Sequence, residues 1–297
     1  MTSKHSEFDS LVPGRPLDRP FSRRDFITTA AGVGFALATQ PIMAQTAIHT
    51  DSAGLLAGRV KLASPLGEVE AYQARPAGQE HLPVILVVSE IFGVHEYIAD
   101  ICRRLAKLGY LAIAPELFAR QGDPRQIESV PEILEKITAR TPDAEVLSDL
   151  DACAAWAFQN GGDPARLGIT GFCYGGRITW LYCAYRSSLK AGVAWYGRLE
   201  GEVTPQTPRH PLDEVAELKA PVLGLYGGED SGIPLASVER MKKALASAAA
   251  PAARASQIIL YDQAPHAFHA DYRPSYRKAA AEDGWRRMLA WFQQHGL

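Results

Sequence analysis

Cys173 stands in the run Gly171-Phe172-Cys173-Tyr174-Gly175-Gly176, between an apolar strand-like stretch at 166–170 and an apolar helix-like stretch at 177–185. A Gly-x-Cys-x-Gly turn in that setting is a nucleophile elbow, whose flanking glycines permit a strained backbone that lifts the central side chain out of the sheet edge. The nucleophile would be a thiol. A free cysteine is more often a small buried hydrophobe, but partners follow this one in the chain order such chemistry uses, an acid and then a histidine. The strand-like run 220–226 leads into Gly227-Gly228-Glu229-Asp230. Asp230 is the expected acid, with Glu229 the alternative, since a shift of one residue in an extended loop reverses the side-chain direction. The strand-like run 256–261 leads into Gln263-Ala264-Pro265-His266-Ala267-Phe268, which makes His266 the expected base rather than a solvated turn residue.

These types are what acyl transfer needs. Thiolate is the reactive form of cysteine, and an adjacent imidazole or a helix N-terminus populates it near neutrality. His266 would take the thiol proton and return it to the leaving group, while Asp230 held its tautomer and orientation. Attack on a carbonyl creates an oxyanion, which converging backbone N–H groups must meet. The residue after the nucleophile, Tyr174, supplies one by position. The second is expected from the loop after the Val/Ile/Leu strand 82–89, in Ser89-Glu90-Ile91-Phe92-Gly93-Val94, with the Ile91 N–H as the candidate. Glu90 is a carboxylate at the exit of a buried strand, beside that oxyanion position. It is either a capping or solvated acid or a group that controls the thiol proton.

Four motifs taken together, Ser89-Glu90-Ile91-Phe92-Gly93, Pro115-Glu116-Leu117-Phe118-Ala119-Arg120, the Cys173 elbow and His266-Ala267-Phe268, resemble the dienelactone hydrolase (carboxymethylenebutenolidase) family from about Arg59 to the C-terminus. The resemblance implies an α/β-hydrolase fold and hydrolysis of carboxylic esters or lactones through an acyl-enzyme. It also implies a Cys-His-Asp triad at Cys173, His266 and Asp230, and an active-site glutamate at Glu90 that hydrogen-bonds the thiol and helps convert it to thiolate. One departure stands out. The family pattern His-Ser-Phe-Ala-Arg ends in an arginine that binds the substrate carboxylate, and this chain has Ala270 there; Arg273, His269 or a residue of the 121–140 segment could substitute. Competing readings are a broad small-ester hydrolase without dienelactone activity, and a non-catalytic ligand-binding or redox-thiol relative of the fold.

A chain of 297 residues with a net charge of −2 fits one α/β domain with an ample core. Its arginines and lysines form no stripe of the kind that neutralises phosphates, so the expected partner is a small ester or lactone rather than nucleic acid. Cys102, Cys153 and Cys183 lie in helix-like apolar contexts and read as core residues. No Cys or His spacing resembles a metal site, so neither metal nor cofactor is expected. At the N-terminus, Ser22-Arg23-Arg24-Asp25-Phe26-Ile27 precedes a small-residue apolar run at 28–39, with a potential cleavage point after Ala44. This resembles a twin-arginine export signal, too short to span a bilayer, and divides the chain into 1–44 and a single domain at 45–297. Export would place the mature protein in the periplasm; a basic tail on a cytoplasmic enzyme is the alternative.

Alternating strand and helix signals predict a mostly parallel central sheet flanked by helices on both faces. Strands are expected at 58–64 and 68–75 as an antiparallel opening pair, then at 82–89, 110–114, 166–170, 191–195, 220–226 and 256–261. Helices are expected at 97–108, 144–159, 177–185, 235–249 and 276–295, the last burying Trp285, Met288, Leu289 and Phe292. The 122–142 stretch reads as a lid-like excursion with one helix over 131–139, and 198–213 as a loop over the site edge. Arg120, Arg177, Trp195, Tyr196 and Phe268 are further side chains near strand ends that could face a substrate.

Overall fold

The computed structural model describes residues 47–127 and 129–297; the expected export signal and its cleavage point after Ala44 lie outside them. Eight strands form one sheet in the order β1-β2-β4-β3-β5-β6-β7-β8. The opening pair, β1 (Leu55–Ser64) and β2 (Gly67–Pro76), is antiparallel in full register, and β2 continues antiparallel onto β4 (Leu111–Pro115). From there the sheet is parallel through β3 (Leu82–Val88), β5 (Gly162–Phe172), β6 (Leu189–Trp195), β7 (Val222–Gly227) and β8 (Gln257–Tyr261). Every residue of β4 and β7 is buried. A strand covered on both sides reads as a continuous apolar run without alternation, which is why the Val/Ile/Leu/Ala runs were legible as central strands.

Seven α-helices lie among the described residues: α1 (Glu96–Lys107), α2 (Val130–Lys136), α3 (Asp143–Gln159), α4 (Tyr174–Tyr185), α5 (Leu235–Ser247), α6 (Pro251–Ala255) and α7 (Lys278–Gln294). They match the expected helices with two corrections. The excursion helix stops at Lys136, and a separate 3-10 turn, Thr138–Arg140, follows; the Thr141 hydroxyl donates to the Ile137 carbonyl there. Chain reversal before β8 adds α6, between the expected helix at 235–249 and the expected strand at 256–261; Pro251, preset for the first helical position, starts it. In α7, Met288 and Phe292 are buried as expected, Trp285 and Leu289 are half-buried, and Trp291 joins the buried stripe. The 198–213 segment braces α4 rather than arching as a free loop. Arg177 donates to the Arg209 carbonyl, and His210, buried, lies 3.4 Å from Arg177 Nε. No helix among the described residues is long and apolar enough to cross a membrane.

Candidate active site

The C-terminal ends of β3, β5, β6, β7 and β8 gather the chemistry, as expected for an open parallel sheet. Cys173 follows β5 directly, caps α4, and adopts φ +55° and ψ −112°. A non-glycine residue with positive φ is uncommon and costs free energy that surrounding structure must offset. Here the offset is visible: the Cys173 N–H donates to the Trp195 carbonyl at 3.0 Å, and the Cys173 carbonyl accepts from Gly176 and Arg177 as the helix begins. The glycines are required by close approach. A Cβ at Gly171 would meet the Gly175 carbonyl oxygen at 2.2 Å, one at Gly175 the Val88 carbonyl oxygen at 2.2 Å, and one at Gly176 the Trp195 carbonyl oxygen at 2.4 Å. The sulfur-bearing residue is 2 % exposed, at the N-terminus of a twelve-residue helix.

Asp230 and His266 meet beneath the surface. His266 Nδ1 donates to Asp230 Oδ2 at 2.7 Å, and the other oxygen of Asp230 accepts from the N–H groups of Gly232 (2.9 Å) and Ile233 (3.1 Å). These backbone donors fix the carboxylate plane, leaving Oδ2 for the imidazole. Glu229 is exposed, so between the two acids the structure brings Asp230 to the histidine. Tyr196, at φ +39°, places its ring edge-on to His266 with centroids 5.2 Å apart, and its phenol lies within electrostatic reach of Cys173.

Glu90 is buried in the loop after β3. Its Oε2 accepts from the Tyr272 hydroxyl at 2.7 Å and lies 3.2 Å from His95 Nε2. Burial acts to raise its pKa, but the His95 hydrogen bond, the Arg273 charge and the Tyr272 hydroxyl outweigh it and hold the carboxyl below its ordinary value. Glu90 is thus neither a cap nor a solvated acid. Arg273 completes the cluster. Its guanidinium lies 4.8 Å from the Phe92 ring centroid and donates through Nε to the Tyr272 oxygen at 3.1 Å. Burial opposes its charge, yet Tyr272, Glu90 and Cys173 together leave it more firmly protonated than usual. Ile91 is fully buried in the same loop, and Tyr174 opens α4.

Other candidates fall elsewhere. His269 is a core histidine: Nδ1 lies 2.6 Å from the Tyr97 hydroxyl, the ring stacks on Phe172 and Trp285, and burial together with the nearby Arg104 charge pushes its pKa well below 6.5. A neutral ring so placed does not substitute for the missing arginine. Arg120 forks onto Asp149 at 2.7 and 2.9 Å, and Arg177 onto Asp143 at 2.7 Å twice; both are scaffold ion pairs. Trp195 packs in the core with its Nε1–H on Thr170, and Phe268 sits among Trp195, Tyr196 and Tyr261. Cys102, Cys153 and Cys183 are buried, with burial raising each thiol pKa, as befits inert core residues. His49, Glu96 and Asp100 present potential ligand atoms close together, but Arg103 donates to both carboxylates and supplies the positive charge there. Two residues the sequence reading missed, His95 and Tyr272, hold Glu90. Their only signal was proximity in sequence to residues already singled out.

A cysteine on a strained strand-to-helix turn, with an Asp-His pair on following strand ends of a mostly parallel sheet, defines an α/β hydrolase. The dienelactone hydrolase family model matches residues 69–296, and this chain belongs to that family, within the carboxylic ester hydrolases. It is 54 % identical over 291 residues to a Methylorubrum extorquens protein named "Putative carboxymethylenebutenolidase", covering 98 % of this chain and 99 % of that one. A Salmonella typhimurium protein of the same name is 54 % identical over 271 residues, 91 % of this chain and 98 % of its own. The crystal structure of a "Putative Dienelactone Hydrolase" from Klebsiella pneumoniae superposes with a TM-score of 0.78 at 53 % identity, covering 81 % of this chain and 99 % of that chain.

Proposed function

We propose that this protein hydrolyses carboxylic esters or lactones by a thiol acyl-enzyme route in which Cys173, His266 and Asp230 act as a triad. The carrying observation is the strained Cys173 at the α4 N-terminus together with the buried His266–Asp230 pair, all three residues following C-terminal strand ends on the same side of the parallel sheet. His266 takes the thiol proton as sulfur attacks the carbonyl. The tetrahedral oxyanion is met by the Tyr174 and Ile91 N–H groups, each such donor contributing about 3 kcal/mol. Collapse breaks the ester C–O bond, His266 protonates the leaving oxygen, and a thioester remains. Water, deprotonated by His266, then cleaves the thioester, releases the acid and restores the thiol.

Glu90, held ionised by its His95, Tyr272 and Arg273 neighbours, would accept a hydrogen bond from the resting thiol and favour loss of its proton. Arg273 takes the role left open by Ala270, since it is the arginine whose charge reaches both Glu90 and Cys173. The substrate it fits carries a carboxylate near the scissile carbonyl, as the relatives' names also suggest. Residues 45–297 form the catalytic domain, and 1–44 direct the chain to the periplasm.

Mass spectrometry after mixing with an activated ester tests the mechanism. An acyl adduct on Cys173 that decays in the native protein and is absent in His266→Ala supports it; an adduct elsewhere, or turnover that survives Cys173→Ala, removes it.

A further inference from the structure

One motif of the sequence, Pro115-Glu116-Leu117-Phe118-Ala119-Arg120, has no part in the reaction above, yet its acid is buried against the loop that carries Ile91. Glu116 leaves β4 with its side chain 8 % exposed. Its Oε2 accepts from the Val94 N–H at 3.1 Å, and its Oε1 accepts from Arg59 at 2.8 Å and from Arg125 at 2.9 Å. The same two guanidiniums also donate to the Val94 carbonyl, at 3.3 and 3.1 Å. Both backbone polar groups of Val94 are thus held by one charge cluster.

The turn is shaped to admit that carboxylate. Gly93 has φ +72°, and a Cβ there would lie 2.9 Å from Glu116 Oε2 and 3.5 Å from Pro124. Pro124 and Arg125 form the first turn of the 122–142 excursion, so carboxylate, oxyanion-loop turn and excursion are packed as one unit. On its other side the loop is tied by the Glu90–His95 contact.

We propose that Glu116 is a positioning residue that fixes the Ile91–Val94 turn and, through Arg125, makes the placement of the Ile91 N–H depend on how the 122–142 excursion sits. This rests on the reading of Ile91 as an oxyanion donor. The carboxylate touches no reacting atom. It acts because a donor misplaced by about 1 Å loses much of its effect, on the order of a hundredfold in rate.

Two reactions of the same thiol separate this role from a merely structural one. Acylation by an activated ester builds charge on a carbonyl oxygen and needs the oxyanion donors. Alkylation by iodoacetamide forms a C–S bond and expels iodide without such charge. Glu116→Gln keeps one acceptor but turns an amide N–H2 toward a guanidinium. Its acylation rate is expected to fall about tenfold to a hundredfold while its alkylation rate stays within about twofold. Arg125→Ala, at a half-buried side chain, leaves Arg59 paired with Glu116; it shifts the ratio in the same direction by a smaller factor and carries the test if Glu116→Gln does not fold. An unchanged ratio in a folded variant, or both rates falling together, overturns the role of Glu116. A wild-type protein that forms no acyl adduct overturns the hydrolase reading itself, and this proposal with it.

Discussion

At the scale of single residues, the site is governed by where charge is buried. Glu90 and Arg273 stand on either side of the Tyr272 hydroxyl, which donates to the carboxylate and accepts from the guanidinium. A substrate carboxylate entering beside Arg273 would compete with this arrangement, so Arg273→Ala should act selectively. Hydrogen bonds to charged groups contribute about 1.5 to 3 kcal/mol, which predicts a rise in KM of about tenfold to a hundredfold for carboxylate-bearing lactones and little change for neutral esters. Equal losses on both substrate types would refute the assignment. Glu90 makes a second prediction through pH. Its pKa is depressed on folding, so its ionised form contributes stability that is complete above its unfolded value of about 4.5 and is lost as pH falls through the lower folded value. Urea unfolding of the native protein and Glu90→Gln should therefore differ by a constant amount from about pH 7 to 5, with the gap shrinking below that; a gap that instead widens on acidification would contradict it.

At the scale of elements, the elbow is a three-way contact of β3, β5 and β6 with the first turn of α4. Gly175 and Gly176 let that turn rest on the carbonyls of Val88 and Trp195, which puts the helix N-terminus against the strand ends. Gly175→Ala forces a methyl group to 2.2 Å from a backbone oxygen, and backbone cannot swing aside as a flexible side chain can. The expected cost is about 3 kcal/mol in chemical denaturation, with a loss of esterase activity exceeding the loss of folded protein. A fully stable and active Gly175→Ala would show that the close approach does not position the nucleophile. Much of this was legible in advance, because strand, glycine turn and helix are local in sequence. The 3-10 break after Lys136 and the short α6 were not, because segments of three to seven residues have too few positions to show a period.

At the scale of the whole molecule, the chain wraps its own N-terminal arm onto the site's supports. Thr50 N–H donates to Asp100 at 2.5 Å and Arg103 donates to the Thr50 carbonyl at 2.7 Å, while Arg104 links Asp100 to Asp271 in the histidine-bearing loop. Residue 50 is therefore already part of the fold. Replacing Arg23 and Arg24 with lysines is predicted to abolish twin-arginine export, read as loss of the protein from the periplasmic fraction; unchanged delivery by that route would refute the localisation.

The sequence by itself determined the strands' raw material and singled out Cys173, His266, Glu90 and the Glu229-Asp230 pair as candidates, because each sits in a short motif at a strand exit, where local geometry dictates direction. Only the tertiary structure placed Arg273, and not His269, by Glu90, and only it recruited Tyr272 to Glu90 across 182 residues of chain. Local spacing says nothing about which loop folds over which strand end. That choice is made by burial: the same loop sends His269 into an apolar stack where it stays neutral, and turns Arg273 back toward the carboxylate and thiol that stabilise its charge.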